Sequence, residues 1–263
     1  MIELLSEPVS LLIVAAGAFM AGAMNALAGG GTFFSFPALL AAGIPPVTAN
    51  ASNTVALWPA SLSSAWVYRK ELAKHRSWVI ALTIIAAIGG VAGGLLLLAV
   101  SNAAFMKMVP WLLLLATVLF AFSKQISGLV VRLKSRMGIA HTDDKPHSPG
   151  GLAFQFLVTV YGGFFGAGQG ILTLAALSIQ GIENIQELNA LKNWISGVTY
   201  TVSALTFIVA GAINWPYTLL MVVTATLGGF TGAHIAKYLP AIWLKRLVIA
   251  VGSLLTVVYF FKT

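Results

Sequence analysis

Long apolar runs follow one another along almost the whole chain, and short polar or charged stretches separate them. A transmembrane helix needs about 20 mainly apolar residues, whereas a membrane-barrel strand alternates apolar and polar positions over about ten. The runs do not alternate in that way, so they predict membrane-spanning helices. They fall at about 9–28, 32–43, 47–68, 77–100 and 103–122 in the first half, and at about 150–168, 170–181, 186–211, 215–236 and 241–261 in the second.

Two of these runs, the second and the seventh, are too short to cross a bilayer. Each holds about 12 residues and follows a glycine cluster, at positions 29–31 in the first half and at 166, 168 and 170 in the second. Irregular backbone at membrane depth is tolerated only where protein or a water-filled cavity satisfies its N–H and C=O groups. The paired clusters therefore predict two broken helices that line a common cavity.

The two halves of the chain match at an offset of 139 positions. Gly29 and Gly31 correspond to Gly168 and Gly170, Asn50 corresponds to Asn189, Thr54 to Asn193, and Gly93 to Gly232. Several matches in one register indicate a duplicated half. We expect a first transmembrane repeat over residues 1–122, a polar connector over 123–149 and a second transmembrane repeat over 150–263.

The basic residues orient these halves in the membrane. They cluster in the 69–76 loop, in the connector and around the join of the ninth and tenth runs, and such clusters mark cytoplasmic loops. Both termini are then periplasmic. The counterpart of the 69–76 loop, at 208–215, has no charge, as expected if equivalent loops lie on opposite sides. The predicted fold is an all-α polytopic membrane protein with two inverted-topology repeats, each of about five hydrophobic segments including one short broken or half-helix.

Composition excludes several classes of protein. Of the 263 residues, 59% are hydrophobic and 8% are charged, which leaves too little polar surface for a soluble domain. The formal charge of +8 reports membrane orientation, so no nucleic-acid partner is expected. The chain has no cysteine. Glu3 and Glu7 replace the basic start of a signal peptide, so we expect the first run to be retained.

An anion that enters a bilayer needs hydrogen-bond donors in place of its lost water. The N-terminal ends of half-helices offer free N–H groups, which glycine leaves accessible. The first candidate site contains Gly29, Gly30, Gly31, Thr32 and Ser35, and its counterpart contains Gly168, Gln169 and Gly170. The alternative is that these glycines permit close helix packing.

Polar residues early in the third and eighth runs are further candidates. Asn50, Asn53, Thr54, Asn189 and Asn193 could contact the anion, or they could cap helices and satisfy the broken backbone. Lys192 could supply a fixed positive charge, reach to the membrane interface, or pair with Glu187.

The order of these residues resembles a known family. The chain resembles the sulfite exporter TauE/SafE family of bacterial inner-membrane permeases in two places. The first signature of the family is matched by Gly29-Gly30-Gly31, Pro37, Leu39, Gly43 and Ala51-Ser52-Asn53-Thr54. The second is matched by Gly163, Gly166, Gly168 and Gly170 followed by Ala190-Leu191-Lys192-Asn193. Two departures are that no proline follows the second glycine run and that Lys192-Asn193 replaces the usual small residue and threonine. The resemblance implies transport of small sulfur-containing anions, such as sulfite or organosulfonates, across the cell inner membrane.

The sequence thus favours a permease that works by alternating access around a mid-membrane site between the repeats. The alternatives are a transporter of a non-sulfur organic anion and, with less support, a non-transporting membrane scaffold or receptor. All acidic residues lie in or beside loops, so we expect no enzyme, catalytic residue, cofactor or metal site. His141, Asp143 and His147 of the connector are interpreted as part of a solvated tether. The expected partners are a small anionic substrate and the lipid bilayer, and a homo-oligomer is compatible with the sequence.

Overall fold

The computed structural model describes residues 7–27, 30–67, 69–73, 76–122, 125, 128–129, 149–180, 182, 184–235 and 241–262. The regular elements in these ranges are helices. They are α1 (Glu7–Leu27), α2 (Thr32–Ala41), α3 (Pro46–Val67), α4 (Arg69–Leu72), α5 (Arg76–Ala99), α6 (Asn102–Ala121), α7 (Pro149–Phe164), α8 (Gln169–Ile179), α9 (Ile185–Val209), α10 (Trp215–Ile235) and α11 (Ala241–Lys262). Nearly all of the predicted connector, with its histidines and aspartates, lies outside the described residues.

Local sequence sets several of the helix starts. Pro46 and Pro149 are the first residues of α3 and α7, where a missing N–H costs nothing. Ser101 caps α6 by accepting a hydrogen bond from the Ala104 N–H, and Asn184 caps α9 in the same way through the Gln186 N–H. These caps begin long helices at the points where the apolar runs begin.

The outward faces of the helices are apolar. Three stretches in the described ranges are long and apolar enough, by length and composition, to cross a membrane: Glu7–Asn25, Arg76–Ala99 and Asn102–Ala121. On α5, Ile80, Ile84 and Ile88 are each more than half exposed and lie one turn apart. Large apolar surface of this kind is costly in water, and it suits contact with lipid.

The predicted breaks in two helices are confirmed. α1 ends at Leu27 and α2, with 10 residues, begins at Thr32; α7 ends at Phe164 and α8, with 11 residues, begins at Gln169. Each short helix folds back along the one before it. In the second hairpin, Gln180 Nε2 donates to the Gly151 carbonyl at 3.4 Å, so the end of α8 lies beside the start of α7.

Aromatic side chains join the two breaks in the core. The rings of Phe36 on α2 and Phe165 in the second break lie 5.7 Å apart in an edge-to-face arrangement, and both contact Phe105 of α6. All three side chains are buried. Edge-to-face pairs add about 0.5–1.5 kcal/mol beyond their buried area, so this cluster holds the two breaks in a fixed relation.

Glycines in the middle of α5 and α10 allow close helix contacts. A Cβ atom at Gly93 would collide with the Val160 carbonyl of α7, and one at Gly228 would collide with the Phe19 carbonyl of α1. Here the small residues serve packing, because they bring one backbone directly against another.

Candidate functional site

A partly open cavity of about 670 Å³ lies where the two helix breaks meet. It is bounded by the ends of α1 and α10, the second half of α3, the starts of α2 and α8, and the first half of α9. The predicted site residues that line it are Gly30, Thr32, Gly168, Gln169, Gly170, Lys192 and Asn193. The volume is in the range of small-molecule sites in proteins.

The other predicted residues are placed differently. Gly31, Ser35, Asn50, Asn53, Thr54 and Asn189 are not among the lining residues, and Gly29 lies outside the described residues. Ser35, Asn50 and Asn53 are at most 1% exposed. Their polar groups bond to the protein, except for Asn50 Oδ1, which has no hydrogen-bond partner in the described residues.

The polar groups of the first break pair with one another. The Gly31 N–H donates to Asn25 Oδ1 at 2.8 Å. The Ser35 hydroxyl donates to Asn53 Oδ1, and Asn53 Nδ2 donates to Thr32 Oγ1 at 3.4 Å. These bonds tie the start of α2 to α1 on one side and to α3 on the other.

Asn50 links the first half to the second break. Its Nδ2 donates to the carbonyl of Phe164, the last residue of α7, at 2.9 Å, and its side chain is fully buried. A helix end leaves carbonyl groups without partners inside the helix. Asn50 supplies one such partner across the two halves through its Nδ2, and contact of its Oδ1 with an anion stays a prediction.

The second break turns through two left-handed glycines. Gly166 and Gly168 have φ angles of 82° and 78°, a left-handed conformation that glycine adopts without strain. Tyr161 steadies the turn by donating its hydroxyl to the Ala167 carbonyl at 2.6 Å. The N–H groups of Gly168 and Gly170 have no hydrogen-bond partner within the described part of the chain.

Gln169 is a buried amide without protein partners. Its side chain is 2% exposed and lines the cavity, and neither its Oε1 nor its Nε2 forms a hydrogen bond in the described structure. Leaving such a group unsatisfied costs about 1–3 kcal/mol. The amide lies against Gly162 of α7, so a bound molecule reaches it only when the side chain turns toward the cavity.

Lys192 brings a positive charge to the same place. It lies in the second turn of α9 and lines the cavity, and its Cδ atom is 3.6 Å from the position that a Cβ atom on Gly170 would take. The pairing of Lys192 with Glu187 stays a prediction. Asn193 follows at the same wall.

Sequence reasoning missed several residues of the site. Asn25 was available as a polar residue near the end of the first apolar run, but its role depends on α2 folding back. Tyr200 lines the cavity, and its hydroxyl interacts with the Thr32 side chain.

Two tryptophans on α3 and α9 lie outside the cavity lining. Trp58 donates its indole N–H to Thr201. Trp194 borders a separate apolar pocket of about 190 Å³ between α3 and α9.

The chain is similar to known membrane proteins over nearly its whole length. The family described as "Sulfite exporter TauE/SafE" matches residues 14–259. A "Probable membrane transporter protein" of Haemophilus influenzae is 27% identical over 245 residues, covering 90% of this chain and 89% of the relative.

Two further relatives carry similar descriptions. The "Probable membrane transporter protein YfcA" of Escherichia coli K12 is 25% identical over 258 residues, covering 95% of this chain and 89% of the relative. The "Probable membrane transporter protein ORF9" of a Sinorhizobium species is 27% identical over 247 residues, covering 91% and 88% of the two chains. No solved structure matches the chain at a significant level.

Proposed function

The chain belongs to the sulfite exporter TauE/SafE family of membrane transporters, and from that premise we propose that it is a permease for small anions. It is a membrane protein and a transporter by family, not an enzyme. The proposal is that the transported anion contains sulfur, as sulfite and organosulfonates do. It binds near mid-membrane depth, between the two halves of the chain.

The observation that carries the proposal is the cavity at the paired helix breaks. Its wall includes the starts of both α2 and α8, the N–H groups of Gly168 and Gly170, and the ammonium group of Lys192. Helix N-termini carry a partial positive charge and attract anions. The wall is thus rich in donors, and none of the lining residues in the described ranges is a carboxylate.

We further propose that the two halves, over residues 1–122 and 150–263, are inverted repeats joined by the connector. In support, the offset of 139 positions relates each helix of the first half to one of the second, and helices in contact are related to helices in contact. The contact of α1 with α10 corresponds to that of α7 with α5, and the contact of α1 with α2 corresponds to that of α7 with α8. The contact of α3 with α10 corresponds to that of α9 with α5. The pairs α3 with α9 and α6 with α11 map onto themselves. A two-fold relation between the halves produces this pattern.

Alternating access follows from such an architecture. One repeat or bundle rocks against the other, and the central site opens first to one side and then to the other. We propose that the loop at 69–76, which is rich in basic residues, is cytoplasmic, and that the protein lies in the cell inner membrane with periplasmic termini.

The test is anion flux in proteoliposomes made with the purified full-length protein. Labelled sulfite, a small sulfonate and a small carboxylate are compared with protein-free vesicles. We expect sulfite or sulfonate to exchange faster than in the empty vesicles. Exchange of the carboxylate alone would move the substrate to non-sulfur organic anions, and exchange of none of the three would refute the proposal.

A further inference from the structure

We infer, resting on the transport function proposed above, that the anion is held by the second helix break alone, and that this site takes a compact oxyanion headgroup with a single negative charge. The two breaks are equivalent in sequence position. Three equivalent pairs of residues, 139 positions apart, nevertheless differ: groups that pair within the protein at the first break correspond at the second to a cation and to an N–H group without a partner in the described residues.

The first pair is Gly31 and Gly170. Both are glycines at the start of a short helix, where an N–H group points away from the helix body. The Gly31 N–H is occupied, because it donates to Asn25 Oδ1 at 2.8 Å. The residue that corresponds to Asn25 in the second half is Phe164, which has no side-chain acceptor, and the Gly170 N–H has no partner in the described residues.

The second pair is Asn53 and Lys192. Asn53 is 1% exposed, and both ends of its amide are used, one by Ser35 and the other by Thr32. Lys192 occupies the equivalent place in α9, but it lines the cavity next to Gly170. A neutral, internally paired amide in the first half is thus replaced by a cation that faces the cavity in the second.

The third pair is Gly30 and Gln169. Gly30 has no side chain to offer a ligand. Gln169 is a lining residue whose amide is 2% exposed, has no partner in the described residues and lies against Gly162 of α7. Buried side-chain polar atoms are nearly always hydrogen-bonded, so we assign this amide as a donor that turns from Gly162 toward the bound anion.

The charge of the wall sets the charge of the ligand. Lys192 is the only charged side chain among the described residues that line the cavity. One ammonium group balances one negative charge, whereas a dianion would keep a second charge uncompensated away from bulk water, which is costly. Sulfonates and hydrogen sulfite are monoanions and fit this balance; sulfate is a dianion and does not.

The experiment measures the binding of methanesulfonate and of sulfate to the purified full-length protein by isothermal titration calorimetry. Charge-assisted hydrogen bonds are worth about 1.5–3 kcal/mol, so Lys192→Gln should weaken methanesulfonate binding roughly 10- to 100-fold. Lys192→Arg keeps the charge and should restore most of the affinity. Lys107→Gln is the matched control, because Lys107 is exposed on α6 and outside the cavity.

A second pair of variants tests the amide independently of the charge. Gln169→Leu should weaken methanesulfonate binding. The control is Gln155→Leu, which removes another buried and unpartnered amide outside the cavity and should leave the affinity unchanged. These two variants decide the question if Lys192→Gln does not fold. Ser35→Ala, at the first break and outside the cavity lining, should leave the affinity within about threefold of wild type.

The inference is overturned if Lys192→Gln and Gln169→Leu bind methanesulfonate like wild type, if Ser35→Ala weakens binding as strongly as they do, or if sulfate binds as tightly as methanesulfonate. These results differ from failure of the transport proposal. That proposal fails when wild-type protein exchanges no anion in vesicles, whatever the variants do.

Discussion

Substituting Gly170 by alanine adds one methyl group at the start of α8, beside the proposed site. The new Cβ atom would have Lys192 Cδ as its nearest neighbour, 3.6 Å away, which is an ordinary van der Waals contact. Gly170 has no left-handed backbone angle, so the substitution introduces no strain of that kind. The methyl group instead covers the free N–H group and crowds the ammonium-bearing side chain.

The expected effects on stability and on binding have opposite signs. Alanine is favoured over glycine in a helix by up to about 1 kcal/mol, so the variant should be as stable as wild type or slightly more so. Alanine keeps its N–H group, so the expected effect is steric: the methyl group holds the anion away from that N–H. Loss of this hydrogen bond to a charged ligand costs about 1.5–3 kcal/mol, which weakens anion binding roughly 10- to 100-fold.

The matched control is Gly197→Ala. Gly197 lies on α9 away from the main cavity, and its nearest neighbour would be Ala65 Cβ, also at 3.6 Å. Thermal unfolding in detergent reports stability for both variants, and sulfonate uptake at several concentrations in proteoliposomes reports half-saturation. We expect half-saturation to rise for Gly170→Ala and to stay at the wild-type value for Gly197→Ala.

Two results would refute the reasoning. If Gly170→Ala unfolds at a clearly lower temperature than Gly197→Ala, the glycine serves packing and not binding. If Gly170→Ala is stable and transports with wild-type half-saturation, the anion does not approach Gly170 closely enough for a methyl group to obstruct it. Gly30 cannot provide this test, because its φ angle of 90° and the Phe120 ring, 2.8 Å from a Cβ atom, make any substitution disruptive.

Three further substitutions test the packing around the site. Asn50→Ala should lower stability by about 1–3 kcal/mol, since it leaves the buried Phe164 carbonyl unpaired; an unchanged melting temperature would contradict the cross-half link. Gly93→Val should give little folded protein on size-exclusion chromatography, because the Val160 carbonyl occupies the space, and a monodisperse, active variant would show that the contact can open. Gln155→Leu should raise the melting temperature, because it removes an unpartnered buried amide, and a lower one would mean that the amide has a partner such as bound water.

Much of the fold follows from local signals in the chain. The lengths of the apolar runs predicted the helices, and the glycine clusters at 29–31 and 166–170 predicted where two of them break. These predictions succeed because the length of an apolar run and the glycines that precede it are features of a few consecutive residues. The relation of the halves as inverted repeats remains a prediction.

The candidate site was predicted only in part. Gly30, Thr32, Gln169 and Lys192 line the cavity as expected, but Ser35 and Asn53 lie behind its wall. Sequence spacing treats the two breaks as equivalent. Whether a polar side chain meets a ligand or another side chain depends on contacts between segments far apart in the chain.

The sequence by itself determined the helices, their breaks and the family, because each depends on local composition or on the order of residues along one chain. Only the tertiary structure decided that Asn25 occupies the Gly31 N–H while the equivalent Gly170 N–H stays unoccupied. The physical reason is that hydrogen-bond donors are satisfied through space. A helix must first fold back on its neighbour before it is clear which donors remain for a ligand.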